Sequence, residues 1–427
     1  MDPLLQTASR KIARRLIPYL MLCYFIAYLD RVNLGFAALT FKGDLGFSDA
    51  VFGLGAGIFF AGYFIFEVPS NIILDKVGAR VWIARIMVTW GVVSASMAFV
   101  EGETSFYIIR FLLGVAEAGF FPGIILYLTY WYTSAERAKV VGLFMVAIAL
   151  SGVIGSPLSS WILVSFSGVA GLKSWQWLFI LEALPAVLLG IVTYFYLTDK
   201  PQDAHWLTAE ERQAVTAHIV ADRASREAVR KFSLGQALTH PRVLALALVY
   251  FGIVTGLYGL GFWLPQIVKA FGLTTSVTGW VVAIPYVFSA IIMIPWARHS
   301  DYTGERVWHV ALAAFIGGAG LIAGAYLADP MLAMVALTFG SIGIFAALPT
   351  FWTLPTALLT GTAAAAGIAL VNAIGNLGGF AGPYLVGWIR DTFKDPALAT
   401  ASIGGFLFLA GIVTLALGHD RRMELRL

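Results

Sequence analysis

The chain has 427 residues, of which 59% are hydrophobic and only 12% charged, and its mean hydropathy is +0.83. A soluble domain carries about twice that charged fraction, so a soluble fold is excluded and the bilayer is the solvent. The 28 Lys and Arg exceed the 24 Asp and Glu by only four, and they lie scattered in short loops and tails, which excludes a nucleic-acid surface.

Apolar stretches long enough to cross a hydrocarbon core of about 30 Å recur along the whole chain. The first, Leu16 to Leu39, follows Arg10, Lys11, Arg14 and Arg15 as a secretory signal would. It is too long for a signal, carries Asp30 and Arg31, and has no small-residue cleavage site, so it reads as a retained helix. Further spans are expected at 51–73, 81–100, 105–130, 137–160 and 177–197. After a polar interval come 242–268, 278–297, 308–327, 331–354, 362–389 and 400–418. The reading is an all-α membrane protein of twelve transmembrane helices. With both termini placed in the cytoplasm, most Lys and Arg fall on cytoplasmic segments, as the positive-inside rule requires.

The polar interval, Thr198 to Pro241, separates an expected six-helix bundle over 1–197 from a second over 242–427. Within it Thr208 precedes Glu211 by three residues, a capping-box spacing that predicts a surface helix. A solvated cytoplasmic connector is the favoured role over a regulatory hinge.

The two bundles repeat each other at one fixed offset of 226 positions. Asp75, Gly78 and Arg80 correspond to Asp301, Gly304 and Arg306, and Pro69, Gly114, Gly152 and Pro157 correspond to Pro295, Gly340, Gly378 and Pro383. Six helices per copy is an even number, so both copies enter from one side and form a parallel repeat about an axis along the membrane normal.

Ionisable groups at bilayer depth are expensive and mark function. The first bundle holds Asp30, Arg31, Glu67, Arg110, Glu117 and Glu182 within its spans, whereas the second has ionisable residues other than tyrosine only near helix ends. Asp30 and Arg31 point about 100° apart on helix 1 and need not pair. Arg110 and Glu117 are two helical turns apart on one face and are expected to line one cavity. Glu67 and Glu182 lie nearer helix ends and read as structural. All six histidines fall in cytoplasmic segments or at helix ends, which leaves carboxylates to carry any proton. Asp75 with Arg80, and Asp301 with Arg306, read as charge locks. Neutral polar contacts are expected from Tyr250, Tyr258 and Gln266, from Trp352, and from Asn372 and Asn376, which are four apart on one face. Gly53 with Gly57, and the run Gly375, Gly378 and Gly379, read as close-packing positions.

These loops, the Arg110-x-x-x-Gly114 run and Gly152 to Pro157 resemble the major facilitator superfamily over nearly the whole chain. Asn71 and Ala297 stand where that family's loop pattern has glycine. Tyr28 to Leu34 and Arg110 to Ala118 are similar to its anion:cation symporter branch, especially the bacterial tartrate-type and galactonate-type carriers. The resemblance implies a major facilitator fold and proton-coupled uptake of a small organic anion, such as tartrate, a sugar acid or an aromatic carboxylate. It implies substrate contacts at Tyr28, Arg31, Trp352 and Asn372, with Arg110 and Asn376 added from the residue reading, and proton carriers at Asp30 and Glu117. A glutamine of the galactonate type is Ile148 here, which implies a smaller or more apolar acid. The expected partners are that anion, protons and the lipid bilayer of a bacterial inner membrane, with the chain acting as a monomer. With a single cysteine, Cys23, and no Walker loop, neither a metal, a cofactor, ATP hydrolysis nor enzymatic chemistry is expected. The competing reading is a proton-driven exporter of amphipathic compounds.

Overall fold

A computed structural model describes residues 3–227, 240–358 and 362–418. All regular structure among them is helical, as it must be where the bilayer offers no partner for backbone N–H and C=O groups. The helices are α1 Pro3–Leu45, α2 Asp49–Val77, α3 Ala79–Ser96, α4 Glu103–Glu117, α5 Phe120–Leu128, α6 Ser134–Ser165, α7 Ser174–Tyr196 and α8 Ala209–Glu227. There follow α9 Pro241–Lys269, α10 Thr275–Thr303, α11 Val307–Tyr326, α12 Pro330–Phe351, α13 Thr353–Leu358, α14 Thr362–Asn376, α15 Gly378–Phe393 and α16 Pro396–Leu417.

Eleven helical stretches among the described residues are long and apolar enough to span a membrane. The remaining expected span, 362–389, is divided at Leu377 into α14 and α15. Another expected span, 105–130, bends where Gly119 adopts φ +83° between α4 and α5, a conformation that glycine adopts without the Cβ penalty. Large apolar side chains such as Val68, Phe195, Ile291 and Phe339 point outward, which suits lipid and not water.

The repeat is visible in the helix starts and in the packing. Ser48 caps α2 by accepting from the Val51 N–H at 3.2 Å, and Thr274, at the same offset of 226, caps α10 by accepting from Val277 at 3.3 Å. In the first half α3 packs on α7 and α2 on α4; in the second α11 packs on α16 and α10 on α12. Between the halves α2 lies along α15, α6 along α10 and α1 along α9. This seam is close enough that a Cβ on Gly53 would meet the Pro383 carbonyl at 2.4 Å, and one on Gly387 the Asp49 carbonyl at 2.2 Å. Small residues permit that approach.

At 43 residues, α1 is about 65 Å long, so one end projects well past the hydrocarbon. There Lys11 donates to Glu211 of α8 at 2.7 Å. The capping box of α8 is formed: the Thr208 N–H donates to Glu211 Oε2 at 2.9 Å, and the Glu211 N–H donates to Thr208 Oγ1 at 3.2 Å. Arg230 and Lys231 of the polar interval lie outside the described residues.

Candidate functional site

A cavity opens between the halves at the middle of the bundle. Its wall includes Tyr28, Arg31 and Tyr63 from the first half and Tyr258, Asn372 and Asn376 from the second. Ile148 also lines it, so the position where the galactonate type has glutamine is on the wall and is apolar here.

Tyr28 and Arg31 share a face of α1, being three residues apart, and that face meets α9. The Arg31 guanidinium is held from two sides: Nη1 donates to the Tyr258 hydroxyl at 2.7 Å, and Nη2 donates to Glu117 Oε1 in a buried ion pair. The Tyr28 and Tyr258 hydroxyls are 3.1 Å apart. The guanidinium carbon lies 4.7 Å from the Tyr28 ring centroid, 5.3 Å from Phe59 and 5.7 Å from Tyr63, an aromatic box that favours a cation. Arg31 Nε is buried with no hydrogen-bond partner among the described residues. An orphaned donor of this kind is costly.

Asp30, one residue away, turns from the cavity into the first half. Its carboxylate accepts from Ser94 Oγ at 2.5 Å, Trp90 Nε1 at 3.0 Å and Asn33 Nδ2 at 3.1 Å. It does not pair with Arg31, as the 100° offset led us to expect. Glu117 ends α4 and stands behind Arg31, buried.

Two expected contacts are placed elsewhere. Arg110 does not reach the cavity: Nε donates to the Gly55 carbonyl and Nη2 to the Ala56 carbonyl, both at 3.1 Å. The physical reason is the glycine-rich face of α2, which lets α4 come so close that the guanidinium meets α2 backbone first. Trp352 likewise sits behind the wall, its ring 4.8 Å from that of Tyr250, which is itself a wall residue. Asn372 is on the wall, and its amide donates to Glu67 Oε1 at 2.8 Å. Glu67 therefore takes part in the seam, through a partner 305 residues away that its position toward one end of α2 did not reveal.

Residues 20–383 match the family described as "Major Facilitator Superfamily". The chain belongs to that superfamily. It is a transporter and not an enzyme. A protein of Agrobacterium vitis named "Putative tartrate transporter" is 55% identical over 411 residues, covering 96% of this chain and 91% of that one. A "Quinolone resistance transporter" of Acinetobacter baumannii is 41% identical, covering 95% and 92%. The solved structure of a bacterial homologue of the human lysosomal transporter Spinster has the same fold, with a TM-score of 0.75 at 15% identity over 94% of this chain and 96% of that one.

This major facilitator is tied together differently at its two ends. Where α1 meets α2, Asp49 pairs with Lys42 and accepts from Arg390 Nε of α15 at 2.6 Å. Lys42 also donates to Gln266 of α9 at 2.9 Å, and the Ala50 N–H donates to Asp391 at 2.6 Å. Both contacts cross the seam. They escaped the sequence reading because Arg390 is 341 residues from Asp49 and Gln266 is 224 from Lys42, and the charges looked like ordinary loop charges. At the opposite end Asp301 and Arg306 pair, with Arg306 also donating to Ser300 Oγ at 3.1 Å. The expected Asp75–Arg80 pair is not formed. Asp75 accepts from the Tyr130 hydroxyl at 2.9 Å, and the Arg80 backbone N–H donates to Asp199 Oδ1 at 2.8 Å, its guanidinium 3.8 Å from the same carboxylate. The chain after α7 brings Asp199 to the start of α3, nearer than Asp75.

Proposed function

We propose that this major facilitator is a proton-coupled symporter that takes up a small organic anion across a bacterial inner membrane by alternating access. The observation that carries the reading is Arg31: a cation on the cavity wall, shared between a buried carboxylate and a tyrosine of the other half, with its Nε–H unpartnered among the described residues. A guanidinium in that position is suited to a carboxylate substrate. When Glu117 takes a proton, its hold on Arg31 weakens and the fork is free to face the anion. When the proton leaves, Glu117 reclaims Arg31 and the anion loses its partner. Asp30, held by Trp90, Ser94 and Asn33, is the second proton carrier. In this scheme residues 1–197 and 242–427 are the two rocking bodies, 198–241 joins them in the cytoplasm with both termini, and the Lys42–Asp49–Arg390 cluster is the outer seal of a monomer.

Tartrate is the substrate the relatives favour. The aromatic wall and the quinolone-named relative favour a second reading, in which an aromatic carboxylate is moved outward by the same proton chemistry. The experiment is uptake into liposomes holding purified protein, driven by an imposed pH gradient. Tartrate accumulation in the wild type, lost in Arg31→Ala, is the expected result. Glu117→Gln is expected to keep tartrate counterflow and lose gradient-driven accumulation. Accumulation that survives both substitutions rejects the reading, and proton-driven efflux of an aromatic carboxylate without tartrate uptake selects the second.

A further inference from the structure

The bond between Glu67 and Asn372 has no part in the scheme above, yet it crosses the seam from α2 to α14 at the edge of the cavity. Glu67 is 8% exposed. Oε1 accepts from Asn372 Nδ2 at 2.8 Å, and Oε2 has no hydrogen-bond partner among the described residues. No cation pairs with it among those residues. The titratable groups near enough to feel its charge are Tyr63 on its own helix and Tyr250 on α9. A buried carboxylate supported by one amide is weakly held, because desolvation of the acid outweighs a single hydrogen bond.

Asn372 faces the cavity on one side and Glu67 on the other, and its amide has been assigned above to the substrate. Glu67 presents to that amide the same chemical group that an organic anion would present. The two cannot both have the Asn372 Nδ2–H that points along this bond. We propose that Glu67 is an internal competitor for the substrate: it latches α2 to α14 through Asn372 until an incoming anion takes the amide over, so that substrate binding and release of this seam are one event. The latch lies 10 residues from the end of α2 and 10 from the start of α14, at the end opposite the Asp49 cluster. Its release therefore loosens one mouth of the cavity while the other stays sealed, as alternating access demands.

This inference rests on the anion-transport reading, and the test separates the two. Full-length protein in nanodiscs would carry spin labels at Val77→Cys and Tyr302→Cys, exposed positions on opposite halves at the latch end; the native Cys23 is buried. Tartrate is the probe. In the wild type tartrate is expected to lengthen the label distance. In Glu67→Ala the distance is expected to be long without tartrate, and tartrate to bind about ten-fold tighter, because a competitor worth one hydrogen bond to a charged group is gone. Glu67→Gln, which keeps the acceptor and the volume without the charge, is expected to keep the short distance and bind tartrate more tightly than the wild type. Weaker or unchanged binding in folded Glu67→Ala overturns the proposal, and so does an unchanged label distance. If the wild type ignores tartrate, the reading of the substrate fails for that acid, and the tartrate-free label distance in Glu67→Ala decides the latch by itself. Should Glu67→Ala not fold, looser or unchanged binding in Glu67→Gln overturns the competition.

Discussion

The Tyr258 hydroxyl lies 2.7 Å from Arg31 Nη1 and 3.1 Å from the Tyr28 hydroxyl, so one phenol of the second half touches both proposed anion ligands of the first. The charge is on α1 and the group that aims it is on α9. The proposed site, whose Arg31 and Glu117 both lie in the first half, thus draws on both halves.

Tyr258→Phe keeps the ring and removes only the hydroxyl. Hydrogen bonds to charged groups are worth about 1.5–3 kcal/mol, so tartrate affinity is expected to fall about ten-fold or more. Titration calorimetry checks this. Unchanged affinity would show that Tyr258 does not position Arg31 in the loaded state.

Asp49 accepts from cations of α1 and α15 together. In Asp49→Asn, Lys42 and Arg390 lose their shared counter-charge and face each other across the seam. A network of partly exposed pairs is worth on the order of 1–2 kcal/mol, enough to shift a two-state population about ten-fold. Spin labels at Gly43→Cys and Phe393→Cys are expected to report a longer distance in this variant, whereas Asp391→Asn, which keeps both ion pairs, is expected to move them less.

Outside the membrane, the Lys11 ammonium beside Glu211, together with the Thr208 backbone N–H, holds the Glu211 carboxyl below its ordinary range. A depressed acid stabilises the folded state above the unfolded value of about 4.3 and loses that contribution as pH falls through the lower folded value. Docking of α8 on α1 is thus expected to be insensitive to pH between about 5 and 8 and to loosen only in stronger acid. Hydrogen exchange of the 209–222 backbone measures this. Glu211→Gln is expected to exchange at neutral pH as the wild type does in acid, and a wild-type transition near neutrality would contradict the assignment.

Much of the architecture was legible along the chain. Span length, the placement of Lys and Arg, the 226-residue offset and the Thr208–Glu211 cap are all properties of neighbours in sequence, and a bilayer admits few structures that satisfy them. The scarcity of charge at depth also singled out a small set of residues, of which Asp30, Glu67, Arg110, Glu117 and Glu182 are buried. What the chain order could not decide was which way each of them faces. Asp30 and Arg31 are adjacent, yet one is bound by α3 and the other meets α9. Arg110 and Glu117 share a helical face, but the close approach of α2 captures the first while Arg31 claims the second. Glu67, dismissed by its position near a helix end, meets Asn372, which is 305 residues away. A helix fixes the angle between its own side chains and nothing about what stands opposite them. That opposite surface comes from other helices, and only their packing across one seam decided which partner each charge meets.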